Sequence, residues 1–148
     1  MEGKRFVIVL VDDDEDDQFL MQYIVDMYCQ DCHLLSFSSA SSFDAYRKET
    51  AQLPTLILLD LNIPDRSGYE LLWELNQDSY WQPIPVLIYS DSDDQQKILH
   101  CYQAYANAVV HKPENVERMK IFMDGLRNFW FGCVSLPIVV EPSAGSGH

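Results

Sequence analysis

The run from Arg5 to Val11, Arg-Phe-Val-Ile-Val-Leu-Val, is apolar and largely β-branched at successive positions and stops abruptly at a block of acids. A strand with one face in water alternates apolar and polar residues, whereas an unbroken run has both faces buried, as in a parallel sheet covered by helices. Shorter runs of the same kind return at 32–37, 55–59, 86–89 and 108–111. The sequence predicts five strands there.

The intervals between these runs carry helical periodicity. From Glu15 to Tyr28 the apolar residues Phe19, Leu20, Tyr23, Ile24 and Met27 recur at spacings of three and four, which predicts an amphipathic helix with that face on the core. A serine-rich cap region precedes a short helix from Ser41 to Lys48, and Gly68 opens another to about Asn76 with Leu71, Leu72 and Leu75 on one side. The acids Asp91 to Asp94 begin a fourth helix running to about Tyr105. Pro113 suits the first turn of a fifth, whose stripe is Val116, Met119, Phe122, Met123, Leu126 and Phe129. Strictly alternating strands and helices with short connections predict an α/β fold, a doubly wound five-stranded parallel sheet with helices on both faces.

A chain of 148 residues has room for one substantial core. Lys and Arg total 10 against 23 Asp and Glu, and the resulting net charge of -13 repels nucleic-acid phosphates and anionic membranes. No apolar run approaches the roughly 20 residues that span a bilayer, and the start does not read as a signal peptide. The expectation is a cytoplasmic protein with neither nucleic-acid nor membrane partners. Cys29 and Cys32 have the spacing of a redox pair or half a zinc site, but Cys101, Cys133, His33 and His100 do not complete a zinc set. Free thiols in a reducing compartment are expected. The end, 138–148, is small and flexible in composition and reads as a tail.

Ligand chemistry in an open parallel sheet collects beyond the carboxyl ends of the strands. Asp12 and Asp13 follow the first strand, Asp60 ends the third, Ser90 the fourth, and Lys112 follows the fifth. Three crowded carboxylates repel one another unless protonation or a cation relieves them, and oxygen donors at this density suit Mg²⁺ better than zinc. With Lys112 and Ser90 beside them, the parts needed for phosphoryl transfer are present. Asp14, Asp16 and Asp17 read instead as acids favoured at a helix N-terminus.

Val11-Asp12-Asp13, the stretch Asp60-Leu-Asn-Ile-Pro64-Asp-Arg-Ser-Gly68, Ser90 and Lys112-Pro113 together resemble the bacterial response-regulator receivers, with a CheY-like (βα)5 fold. The resemblance covers residues 5–131 and implies one receiver domain over 1–137. It implies that Asp60 takes a phosphoryl group from the phosphohistidine of a sensor kinase, from a phosphotransfer protein or from a small phosphodonor. Mg²⁺ would be held by Asp13, Asp60 and the backbone carbonyl of Asn62, with Asp12 acting mainly through water. Lys112 would pair with the phosphoryl oxygens and Ser90 would move to bond them, reshaping the surface of the last two helices. Such a chain is a phosphoacceptor that assists its own phosphorylation and dephosphorylation rather than an enzyme, and its output is binding to a downstream protein.

Two positions depart from that pattern. Asp91 stands where the family usually has a small residue, so an extra charge should slow an anionic phosphodonor. Val109 replaces a ring that follows the switch in many receivers, leaving the readout to Ser90 and backbone shifts, or to Tyr89 or His111. These departures define the alternative of a phosphorylation-independent receiver that serves as an interaction module. Phe129-Trp-Phe131 and Val134 to Pro137 resemble the ends of stand-alone receivers of the phytochrome-associated type. Three consecutive helical residues cover too wide an arc for all three rings to be buried, so at least one should face solvent or a partner such as a second copy. A flavodoxin-like flavin site would want a Ser/Thr/Gly-rich turn where Asp12 to Asp17 stand, and a haloacid-dehalogenase-like site would want a second Asp where Asn62 stands.

Overall fold

Residues 6–137 are described by a computed structural model. Five strands, β1 (Phe6–Val11), β2 (Cys32–Phe37), β3 (Leu56–Leu59), β4 (Val86–Ser90) and β5 (Ala108–His111), alternate with α1 (Glu15–Tyr28), α2 (Ala40–Glu49), α3 (Gly68–Gln77), α4 (Gln95–Gln103) and α5 (Val116–Gly125). All neighbouring strands are parallel, in the order β2-β1-β3-β4-β5. The predicted doubly wound sheet is what forms. Residues 138–148, expected as a tail, lie outside the described residues, as does Arg5, the expected start of β1.

Strand alternation divides the apolar runs between two cores. Val9, Val11, Ile57, Leu59 and Ile88 meet α2, α3 and α4 through Phe43, Leu71, Leu72 and Cys101. Ile8, Leu10, Leu58, Leu87 and Tyr89 meet α1 and α5 through Met21, Ile24, Met119 and Met123. Among the described residues no helix is long and apolar enough to cross a membrane.

Helix ends are set by side-chain caps. Asp14 accepts the N–H groups of Asp16 and Asp17, Ser39 forms a reciprocal capping box with Ser42, and Asn115 accepts from Arg118. Asp94 caps α4, which therefore starts after the Asp91–Asp94 acids instead of within them. It also ends before Tyr105, which takes φ 71° while the N–H groups of Tyr105 and Ala106 bond the carbonyls of Tyr102 and Cys101. This is a Schellman stop with tyrosine in the usual glycine place.

Three further expectations are corrected. The buried face of α1 is Met21, Ile24 and Val25, while Phe19 is 76% exposed and Tyr23 and Met27 are also outside. The helix carries apolar residues over so wide an arc that two adjacent stripes satisfy the periodicity, and packing against α5 selects the second. The fifth helix does not continue unbroken: after Gly125 the residues Leu126–Trp130 form a π-helical turn, with Phe131 N–H bonded to the Leu126 carbonyl. The wider turn brings Phe131 onto Phe6 at 4.3 Å between centroids and leaves Phe129 exposed, the outward ring expected from the triplet. Cys29 and Cys32 are a disulfide and not free thiols. The turn joining α1 to β2 closes with Cys32 N–H on the Cys29 carbonyl, both side chains point into the same core, and the Cα atoms come within 5.4 Å.

The loop after β3 is fastened at two points. Asp65 accepts the N–H groups of Ala40 and Ser41 at 2.9 and 2.8 Å as well as the Ser41 hydroxyl, and these bonds, led by the hydroxyl, hold its carboxyl down at about 2. Gly68 lies so close that a Cβ there would sit 2.5 Å from Leu61 Cα and 2.9 Å from the Asp60 carbonyl oxygen. Backbone atoms cannot swing aside as a flexible side chain would.

Because the folded pKa of Asp65 is depressed, its contribution to stability is present above the ordinary value of 3.8 and is lost as the pH falls through about 2. Asp65→Asn is therefore expected to lower the urea midpoint at pH 6, with the gap to wild type closing near pH 2. Gly68→Ala is expected to destabilise by about 1–3 kcal/mol in urea denaturation, since the loop carrying Asp60 must shift to admit the methyl group.

Candidate functional site

The chain runs from β1 outward to β2 and then back across to β3, so the sheet changes direction between β1 and β3. Loops leave the carboxyl ends of those two strands on opposite faces and open a crevice there. The strand ends are tied in place: Asp12 N–H bonds the Phe37 carbonyl, and Asp60 N–H bonds the Val11 carbonyl. Asp12 and Asp60 are consequently presented side by side as the two apolar strands stop. On the neighbouring strands Ser90 and His111 are in register, and Lys112 N–H bonds the Ser90 carbonyl.

Asp12, Asp60, Ser90 and Lys112 are the buried polar residues among those described, whose other buried side chains are apolar. Lys112 Nζ lies 2.8 Å from Asp60 Oδ2, 2.9 Å from Asp12 Oδ2 and 2.7 Å from Asp17 Oδ2. It also sits 5.7 Å above the Tyr89 ring, whose hydroxyl faces the Met119 sulfur. Burial opposes the Lys112 charge, but hydrogen bonds to Asp17 and Asp60 and the nearby Asp12 carboxylate outweigh it and leave the pKa raised. Burial likewise pushes Tyr89 up. Asp60 Oδ1 accepts the Asn62 N–H at 3.0 Å, which fixes the carboxylate plane.

Asp12 is the anomaly of the cluster. Its Oδ1 accepts the Asp14 N–H at 2.9 Å, but Oδ2, fully buried, accepts no hydrogen bond among the described residues although Lys112 is within ion-pair distance. Burial pushes its carboxyl up to about 7, against the opposing pull of the Asp14 N–H and Lys112. An orphaned buried carboxylate oxygen is costly unless a cation meets it. Donor atoms of Asp12, Asp13 and Asp60 all lie within 4.8 Å of one another, with Asp13 on the solvent side, so the acids fit a hard divalent cation entering from solvent.

The residues expected at the site are thus brought together: Asp12, Asp13, Asp60 and Lys112 in one cluster, with Asn62 in the adjoining loop. Ser90 lines a shallow groove beside it with Asn62 and Tyr69, its hydroxyl accepting the Ser92 N–H at 3.2 Å. Asp91 is exposed at the rim. His111 points to solvent and Tyr89 is buried under Lys112, while the Val109 N–H donates to the hydroxyl of Tyr102 on α4. Asp17 was missed. The acids of the first turn of α1 read alike in sequence, and only helix phase separates the capping Asp14 and exposed Asp16 from Asp17, which reaches the ammonium.

Residues 8–123 match the response regulator receiver domain family. The chain is 29% identical over 136 residues to the response regulator Rcp1 of Synechocystis sp., covering 88% of this chain and 92% of that protein. It is 30% identical over 131 residues to the two-component response regulator ORR1 of rice, Oryza sativa, covering 81% of this chain and 57% of that protein. Among solved structures, the phosphorylated cyanobacterial phytochrome response regulator RcpA superposes with a TM-score of 0.82 at 30% identity, covering 90% of this chain and 99% of that one. The Mn²⁺-bound form of Rcp1 gives 0.79 at 28% identity, over 90% and 99%. On motif, fold and site alike, the chain belongs to the response regulator receiver domain family.

Proposed function

We propose that this receiver is a phosphorylation switch of a two-component pathway, in which Asp60 accepts a phosphoryl group and the changed surface is read by another protein. The observation that carries the reading is the pairing of a buried Asp60 with a buried Lys112 at 2.8 Å beside an orphaned Asp12 oxygen. A purely structural ion pair at this position would need neither the extra carboxylates nor the crevice that opens onto them.

In the transfer, a carboxylate oxygen of Asp60 forms a bond to phosphorus as the donor's P–N bond breaks, the electron pair staying with the imidazole of a sensor histidine kinase or phosphotransfer protein. With acetyl phosphate the P–O bond breaks and acetate leaves. Asn62 N–H and Lys112 hold Asp60 in place for attack, Lys112 would pair with the phosphoryl oxygens, and the Ser90 hydroxyl would move to bond them. Mg²⁺ would be held by Asp13, Asp60 and the Asn62 carbonyl, with Asp12 acting mainly through water, and when bound it supplies the positive charge that lets an anionic carboxylate approach an anionic donor. Water later cleaves the acyl phosphate, returning the Asp60 carboxylate and inorganic phosphate. The chain is accordingly a substrate that assists its own phosphorylation and dephosphorylation, and not an independent enzyme.

Output passes to a downstream protein or a second copy. Leu99 and Tyr102 on α4, Tyr105 in the turn after it, Val116 and Ile121 on α5, and Phe129 beyond it are large apolar side chains left exposed, which suits recognition through the last two helices or the C-terminal aromatic segment. The acidic surface makes nucleic acid an unsuitable partner. The reading places the chain in the cytoplasm with its phosphodonor.

Incubation with radiolabelled acetyl phosphate and Mg²⁺ is expected to label the wild type and not Asp60→Asn, and chelation with EDTA should slow labelling by roughly tenfold or more. Label on the Asp60→Asn variant would refute Asp60 as the acceptor. In the same assay Asp91→Ala is expected to label roughly two- to fivefold faster at low ionic strength, the gain shrinking as salt screens the exposed charge. Equal rates would show that Asp91 does not govern entry of the donor.

A further inference from the structure

Lys112 is crowded in a way that its proposed role does not require. An ammonium group has three N–H donors, and three carboxylate oxygens already stand within 2.9 Å of it, from Asp17, Asp60 and Asp12. A phosphoryl group on Asp60 brings further oxygens and negative charge, and it must compete for Lys112 with the carboxylates already placed around it.

The three partners are not equally free to leave. Asp60 stays bonded to the phosphorus. Asp12 is 0% exposed, stands at the end of β1 and is held through its other oxygen by Asp14 N–H. Asp17, with its side chain 30% exposed, can pass into water at the smallest desolvation cost. Yet it makes the shortest of the three contacts, at 2.7 Å, and its turn is well anchored: Asp17 N–H donates to the Asp14 cap, the next residue's backbone N–H, that of Gln18, donates to the Asp14 carbonyl, and the Gln18 side-chain amide donates to the Asp12 carbonyl and the Ser38 hydroxyl.

The geometry points to Asp17 as a positioning residue for Lys112, one that holds the ammonium beside Asp60 in the resting molecule and competes for it with an arriving phosphoryl group. This rests on the phosphoryl-transfer reading above and adds a brake to it. Asp17 keeps Lys112 where it is needed but also contends with the phosphoryl group for it. The cluster contains a control, because Asp16 is an exposed acid of the same helical turn with the same charge and no ion pair to Lys112 among the described residues.

The test compares wild type, Asp17→Asn, Asp17→Glu and Asp16→Asn for the initial rate of labelling by acetyl phosphate with Mg²⁺, with Asp60→Asn as the blank. Asp17→Asn is expected to label roughly three- to tenfold faster than wild type, while Asp16→Asn and the charge-restoring Asp17→Glu stay within about twofold. A second readout needs no phosphodonor: solvent exchange of the Lys112 ammonium protons by ¹⁵N NMR should be slow in wild type and Asp16→Asn and faster in Asp17→Asn. A labelling rate for Asp17→Asn equal to or below wild type, or an equal gain in Asp16→Asn, would overturn the brake. Unchanged proton exchange in Asp17→Asn would overturn the hold on Lys112. If the wild type takes no label, the phosphoryl-transfer reading falls and the brake with it, while proton exchange still decides whether Asp17 holds the lysine.

Discussion

Burial of β1 and β3 on both faces is the constraint on which the rest of the molecule depends. Ile8 to Val11 and Leu56 to Leu59 are each shut off from water, so helices must cover both sides, and the chain must cross over between parallel strands. The crossovers diverge between these two strands, and the same apolar runs that build the core therefore aim their first polar residues into one crevice. The acids at 12 and 60 face each other because the strands that carry them are hydrogen-bonded neighbours.

Crowding those acids at a buried edge creates an electrostatic problem that Lys112 only partly solves. One ammonium answers three carboxylates, and Asp12 keeps an oxygen without a hydrogen bond. A fully neutralised cluster would be a stable structural ion network with no further affinity for charge. The residual imbalance is what suits the site to a divalent cation and, with it, to a phosphoryl group. Function here resides in what the fold leaves unsatisfied.

Around this edge the connecting segments are tied on both sides. The loop after β3 is locked by Asp65 onto α2 and by the close approach of Gly68 to the Asp60 carbonyl, which holds Asp60 in place. On the other side Ser90 accepts a loop N–H, α4 meets β5 through the Val109 N–H on the Tyr102 hydroxyl, and Tyr69 of α3 reaches α4 at Lys97 and His100.

Most of the fold and the site was legible in the sequence because both are written in local patterns. Apolar runs locate the strands, their spacing from helical segments makes the sheet parallel, and polar residues at the strand ends name Asp12, Asp13, Asp60, Ser90 and Lys112. The tertiary structure alone decided matters of rotation and approach. The phase of α1 turned Phe19, Tyr23 and Met27 outward, because its apolar arc is wide enough for two faces and packing with α5 chose one. The same phase sent Asp17 to Lys112, ninety-five residues away, from a run of acids that sequence cannot tell apart. Closure of the α1–β2 turn joined Cys29 to Cys32, and the π-helical turn divided the aromatic triplet between core and solvent. Periodicity fixes which residues can share a face; only the packed neighbours fix where that face points.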